Sequence, residues 1–557
     1  MVVKSIQLKA DFVEFAPIIL IIMLLSGYWA YCIWIEPISP YYDNYDPSFP
    51  YFMNSLSVFK GKGYAFVDHP GTPVELIGTA ILGFTYPLLG RDPNGFVLYH
   101  LQNPGLFFSL AYAFLTLSSI GCALFFYKSA LISKRLGDVL TATTLALMFY
   151  TLHPWSFVTL NYWSHNSFNF PFGTLYLLIL FKSIQIKGEI RLWKLVGLGL
   201  AAGILTATQL YFSVWVIGAM TVVAVFYLLQ NLPWYKSILA SMLVGISSLA
   251  GFFLSVIPVI AQMPKFFQWV TDLIFHVGRY GGGKEGVVSL SLSQATLELL
   301  LRQFPVIFAS CGILLFALSY AYIRRRSNFS NKPELWAMAT GLTAQLIIAF
   351  ILIIKQPLFL YMLAIAAILP VLTMVSLKIL ENIAGYYIIQ EIFFALVTVG
   401  IVLTLSLTIS NRHNNAIDYS FMEKEIAQKL EKYAQATRRV PDGIVILWTY
   451  GAISPCSSLL FGNGYTEMAF SQELSKLCPN QHNLSLWIWD QNQVTILPVN
   501  GDSQIPIADV NWDLIIARKS DYTNVIEPAI QVKTVNEEIS PPWRFEPNPI
   551  VVVQKEP

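Results

Sequence analysis

The chain has 557 residues, 55% of them hydrophobic and only 12% charged, with a mean hydropathy of +0.56. That balance excludes an ordinary soluble globular protein, in which about a quarter of residues carry charge. A formal net charge of +2 without a basic stripe excludes a nucleic-acid binder. The charge is uneven along the chain: from Asn411 onward there are 12 Lys+Arg against 17 Asp+Glu, and the part before it holds 23 against 16.

Lys4 and Lys9 precede an apolar run from Phe15 to Ile35, long enough to cross a hydrocarbon core and lacking a small-residue cleavage site. It reads as a retained signal anchor with a cytoplasmic N-terminus. Further apolar runs fall near 73–90, 104–127, 138–153, 168–184, 193–208, 212–230, 237–260, 304–323, 334–354, 357–378 and 386–409. Were 73–90 to cross the membrane, Lys128, Lys134, Arg135 and every later basic connection would lie outside, against the positive-inside tendency. Laid along the outer surface instead, it leaves 15 basic residues inside against 8 in outer loops. Glu75 at its start and Gly78, Gly83 and Pro87 within it suit an interfacial helix. The expectation is a polytopic α-helical membrane protein with about 11 spans, N-terminus inside and C-terminus outside, over residues 1–410. No internal repeat of the kind many transporters carry is visible.

This topology gathers four features on the outer side: the long loop 36–103, the connection HPWSFVTLNYWSHNS at His153–Ser167, the tight turn TATQLYF at Thr206–Phe212, and the stretch Ala261–Phe304, amphipathic and then glycine-rich. Beyond Asn411 the character changes. Residues 416–437 read as an amphipathic helix, and GIVILWTY, LSLWIWD and WDLIIARK read as strands, so 411–557 is expected to form an extracytoplasmic α/β domain. Cys456 and Cys478 lie in that domain, and an oxidising compartment would let them pair; Cys32, Cys122 and Cys311 sit in apolar runs as small hydrophobes.

The carboxylates stand out because they are concentrated. The segment EPISPYYDNYDPSFPYFMNSLSVFKGKGYAFVDHPG holds Asp43, Asp46 and Asp68, with His69 beside the last, against a membrane half that is otherwise poor in charge. Transfer of a sugar to a hydroxyl needs a base on the acceptor proton and cations or hydrogen bonds on a departing phosphate. Asp46 is the candidate base, its basicity raised by apolar neighbours such as Phe49 and Tyr51; Asp43 is the fallback. An Asp-Pro step is also ordinary turn chemistry, and Asp68-His69-Pro70-Gly71 also reads as a turn capping the next helix.

An acid soon after the first span, then an Asp-His-Pro turn opening an apolar helix about 20 residues on, resembles the first outer loop of the GT-C superfamily of membrane glycosyltransferases. The branch with protein O-mannosyltransferases and the aminoarabinose transferase of lipid A is the nearest likeness. A tight outer turn between two spans and the Lys-Gln-Pro entry of KQPLFLYMLAIAAILP extend it over residues 10–410. The resemblance implies a polyprenyl-phosphate sugar donor; a lipid, glycan or protein acceptor; inverting transfer at the outer face; and Asp46 as the first-loop acid. It further implies that Asp68 and His69 hold the loop or acceptor and that Lys355 lies near the donor phosphate. Pro47 follows Asp46 where relatives carry a second acid, so a site with one carboxylate and neither metal nor cofactor is expected.

His165 and Asn166 are further candidates for sugar or phosphate, Gln209 for a polar partner at the tight turn, and His276, Arg279 and Lys284 around the GGG run for a bound phosphate. GGGKEG lacks the spacing of a nucleotide-binding loop. The alternative class is a transporter or lipid flippase, which calls for ionisable residues at the bilayer midplane; the spans are nearly free of them. The expected home is a bacterial inner membrane with the C-terminal domain in the periplasm.

Overall fold

A computed structural model describes residues 2–41, 45–67, 71–131, 136–276, 286, 290–303, 308, 310–316, 319, 332–354, 359–384, 388–437, 444–447, 455–478, 481–484, 495–496, 505–506, 514–518, 534–539 and 550–555. It resolves into two compact units, 1–30, 67–73 and 112–408 in the first, 31–66, 74–111 and 409–557 in the second.

Among the described residues seven helical stretches are long and apolar enough to cross a membrane: Phe15–Ile35, Thr72–Leu89, Gly105–Ala130, Leu210–Leu229, Trp234–Phe275, Pro333–Ile354 and Leu360–Glu381. The chain is a polytopic helical membrane protein. In chain order the helices are α1 (Val2–Ala30), α2 (Tyr45–Ser57), α3 (Thr72–Leu89), α4 (Pro93–Gln102), α5 (Gly105–Ala130), α6 (Leu136–Leu147), α7 (Trp155–Val158), α8 (Leu175–Ser183), α9 (Leu192–Thr208), α10 (Ser213–Leu229), α11 (Trp234–Val256), α12 (Met263–Phe275) and α13 (Leu290–Gln303). They continue with α14 (Pro333–Ile354), α15 (Phe359–Ala384), α16 (Ile388–Thr437), α17 (Pro455–Gly464) and α18 (Ser471–Leu477).

Two of the expected spans are irregular. The run near 138–153 is α6 followed by a 3-10 turn at Met148–Thr151, and the run near 168–184 opens as a π-helix at Asn169–Thr174 before α8. Most of the run near 304–323 lies outside the described residues.

In the first unit, close packing follows from small residues. A Cβ on Gly199 or Gly203 of α9 would meet the backbone of α11 at Val244 and Ser248, and one on Gly251 would meet Leu200. These two helices therefore approach backbone to backbone, the usual solution where lipid removes the hydrophobic drive between helices. α15 is the central helix, with 89% of its apolar window buried, and Thr174 Oγ1 donates to Ala367 O on it at 2.7 Å.

The helix expected over residues 416–437 is the end of a longer one: α16 runs unbroken for 50 residues, about 75 Å at 1.5 Å per residue. No proline or glycine falls between Ile401 and Thr437 to stop it. Arg412 on α16 donates to Cys32 O and Glu36 O, capping the free carbonyls where the first span ends in a π-turn at Tyr31–Ile35.

The C-terminal region contains both helices and strands among its described residues. β1 (Ile444–Leu447), β2 (Gln481–Leu484), β5 (Leu514–Arg518), β6 (Thr534–Ile539) and β7 (Ile550–Lys555) form a mixed sheet in the order β2-β1-β5-β7-β6; β3 (Thr495–Ile496) and β4 (Ile505–Pro506) pair separately. β1 lies parallel to β2, with Ile444 opposite Gln481, so the chain must cross over between them; α17 and α18 are that crossover. Of LSLWIWD only Leu484 falls within a described strand.

Candidate functional site

The second unit packs α2 and the residues after it, up to Phe66, into one body. α2 opens at Tyr45, so Asp46 stands in its first turn; the Asp46 side chain, Asp43, Asp68 and His69 lie outside the described residues, as do Arg279 and Lys355. From Phe49 to Leu56 every residue with a side chain to pack is buried: Phe49, Tyr51, Phe52, Met53, Asn54, Ser55 and Leu56 are all at 0% exposure. Tyr51, a predicted site residue, sets its ring against Phe66 at 5.1 Å. Phe52 packs on Phe107 and Phe108, at 4.9 and 5.5 Å.

Polar side chains tie this helix to its surroundings. Asn54 Nδ2 donates to Pro50 O at 2.9 Å and Tyr465 O at 3.0 Å, while its Oδ1 accepts from Ala65 N and Phe66 N. The amide thus uses both ends. Ser55 Oγ donates to Glu75 O on α3, and Gly78 lets α3 approach, since a Cβ there would strike Ser55. Tyr41, just ahead of the acidic segment, donates its hydroxyl to Leu101 O and Gln102 O, and burial pushes that hydroxyl up to about 12.

Glu75 is the residue that sequence reasoning assigned only to the helix boundary. It is fully buried in the first turn of α3, and among the described residues neither carboxyl oxygen finds a hydrogen-bond donor. Ser48 Oγ, two residues past Asp46, is buried in the same condition. The signal was present: a single acid inside an otherwise apolar helical run has to be explained. His100 on α4 is also fully buried, 3.5 Å from Thr85 Oγ1, and burial holds its imidazole down at about 4.

The first unit brings other predicted residues together. His165, Asn166 and Gln209 are all buried, and Gln209 Nε2 donates to Asn166 Oδ1 at 2.9 Å across 43 residues of chain. Ser164 Oγ accepts from Asn166 N at 3.1 Å and so starts the 3-10 turn that carries His165 and Asn166. Asn169 Nδ2 donates to Asn166 O at 2.9 Å. Gln209 is placed by the tight turn: α9 ends at Thr208, Gln209 is extended, and a 3-10 turn at Leu210–Phe212 opens α10. Gln209 Oε1 and Asn169 Oδ1 are buried acceptors with no donor among the described residues. At the head of the same connection, His153 Nδ1 accepts from Trp155 N at 3.2 Å, and burial lowers the ring to about 4, which keeps it neutral.

Chemically, the first unit offers a fixed amide pair, Asn166 and Gln209, and two acceptor oxygens without a donor among the described residues, Gln209 Oε1 and Asn169 Oδ1, suited to hydroxyl donors. The second offers a packed helix that carries Asp46 in its first turn and a buried carboxyl, Glu75, with no donor among the described residues. Among the described residues no group of three His, Cys, Asp or Glu could hold a metal ion.

No protein-family model matches the chain, and no curated protein matches it. Among solved structures it is similar to the crystal structure of ArnT from Cupriavidus metallidurans bound to undecaprenyl phosphate, at TM-score 0.49 and 12% identity, over 97% of this chain and 98% of that one. At that score and identity no residue role or ligand carries across.

Proposed function

We propose that the protein is a GT-C-type membrane glycosyltransferase that moves a sugar from a polyprenyl-phosphate donor to an acceptor hydroxyl at the outer membrane face, with inversion. The observation that carries this reading is α2: the loop holding the acids is anchored on a helix whose residues are buried from Phe49 to Leu56, which a solvated loop would not need. A rigid element is what a positioned base requires.

In this mechanism the Asp46 carboxylate takes the acceptor hydroxyl proton as that oxygen bonds to the anomeric carbon. The bond from that carbon to the phosphate oxygen breaks on the opposite face, and polyprenyl phosphate leaves as the anion. Lys355 and Arg279 neutralise the phosphate. The amide pair Asn166 and Gln209, with His165 beside it, accepts and orients sugar hydroxyls, and Asp68 and His69 hold the acceptor side of the loop. No step calls on a metal or cofactor. The acceptor is a lipid, glycan or protein hydroxyl.

The accompanying topology has 11 spans, α3 lying along the outer surface, and the C-terminal domain in the periplasm of a bacterial inner membrane. The test of function is release of polyprenyl phosphate from a labelled polyprenyl-phosphate sugar by purified protein with a hydroxyl acceptor. Absence of release across sugar donors would remove the reading.

A further inference from the structure

The C-terminal region has no part in the chemistry above, yet it grips the acid-bearing helix. Within the second unit, α17 lies on α2 where Gly462 has no Cβ: one placed there would sit 2.6 Å from Met53 Sδ and 3.1 Å from Phe49 O. Just past α17, Tyr465 accepts from Asn54 and sets its ring on Phe66 at 4.9 Å. Lys60, at the end of the turn that follows α2, binds Glu473 of α18 at 2.7 and 2.8 Å and Ala469 O at 3.0 Å, its side chain only 16% exposed. On the other side of the acidic segment, Ser458 of α17 donates to Tyr41 O. The same short element therefore holds the chain both before and after residues 42–46. Cys456 at its start and Cys478 at its end are joined in a disulfide, with Cα atoms 5.7 Å apart, so α17 and α18 form one closed loop.

We infer that the disulfide-closed segment Pro455–Cys478 is a clamp that positions α2, and with it Asp46, for transfer, which makes Asn54, Lys60, Gly462 and Glu473 positioning residues of the reaction. The second half of this inference rests on the assignment of Asp46 as base; the first half rests on the contacts alone. α2 has 13 residues, too few to be a stable helix by itself, so its geometry has to come from what packs on it. One face is supplied by α3 and the start of α5, and the other by the clamp. A serine-for-cysteine pair opens the loop, Gly462→Val drives a branched side chain into Met53 and the Phe49 carbonyl, and Lys60→Glu sets like charges together.

The experiment is hydrogen exchange of residues 45–57 in full-length protein in nanodiscs, run beside transfer kinetics and binding of polyprenyl phosphate. Gly462→Val, Lys60→Glu and the double Cys456→Ser/Cys478→Ser variant are expected to speed exchange in α2 by tenfold or more, with Pro333–Ile354 unchanged. Turnover is expected to fall in step while polyprenyl-phosphate affinity holds. The reversed pair Lys60→Glu/Glu473→Lys is expected to restore both α2 protection and turnover, which a general loss of folding would not do. Unchanged exchange in α2 across all variants overturns the clamp. Loosened α2 with wild-type turnover overturns its positioning role. A wild-type protein that transfers nothing overturns the enzyme reading alone, since exchange still decides whether the clamp exists.

Discussion

Replacing Glu75 by leucine and by glutamine separates what this side chain does for the fold from what it does for the reaction. The carboxyl is at 0% exposure and neither oxygen is bonded among the described residues. A buried polar group left in that condition costs roughly 1–3 kcal/mol. Glu75→Leu has nearly the same volume and removes that cost, so it is expected to stabilise the protein by about 1–3 kcal/mol. Glu75→Gln keeps a buried, unbonded polar group and should lie close to wild type. Denaturant unfolding in detergent, followed by tryptophan fluorescence, reads both. A buried acid inside an apolar helix is a candidate functional group, so transfer is expected to fall at least about tenfold in Glu75→Leu although the protein is more stable. Destabilisation by 1 kcal/mol or more in Glu75→Leu would mean that the carboxyl is bonded and structural. Stabilisation with undiminished transfer would remove Glu75 from the site.

Asp46→Asn keeps size and removes the base, so transfer should drop by roughly 10²-fold or more with donor binding little changed, whereas Lys355→Ala should weaken donor binding first; near-normal turnover by Asp46→Asn would move the role to Asp43. Opening the Cys456–Cys478 link, whose sequence separation is 22, releases loop entropy worth about 3 kcal/mol in the unfolded chain, and the serine pair should lose about that much in unfolding of the C-terminal region. His100 is held at about 4 against an ordinary 6.5, so the unfolded chain binds the extra proton and stability should fall as pH drops from 6.5 to 4, then level off. The effect is on the order of 3 kcal/mol at 1.36 kcal/mol per pH unit, and His100→Phe should flatten the slope in unfolding curves taken at pH 7 and pH 5. Cysteine labelling from either side should place Lys134 and Arg325 in the cytoplasm and residue 450 outside; Lys134 found outside would overturn the 11-span topology.

Much of this molecule was legible along the chain because the forces behind it are local. A helix bonds i to i−4 and a span needs only a long apolar run, so Phe15–Ile35, Pro333–Ile354 and Leu360–Glu381 follow from composition. The extended Gln209 between α9 and α10 follows from two apolar runs with almost no linker. The strands at Ile444–Leu447 and Leu514–Arg518 follow from short runs rich in isoleucine, valine and leucine. Even the pairing of Cys456 with Cys478 needed only that they are the two cysteines beyond Asn411. Hydropathy has no term for partners remote in sequence, and there the tertiary structure decided. It joined Gln209 to Asn166, and Asn54 to Tyr465 across 411 residues, because the orientation of an amide depends on which backbone groups packing leaves open to it. It also left Glu75 at 0% exposure with no donor to its carboxyl among the described residues, a burial that a lone acid in an apolar run flags for explanation but does not by itself reveal.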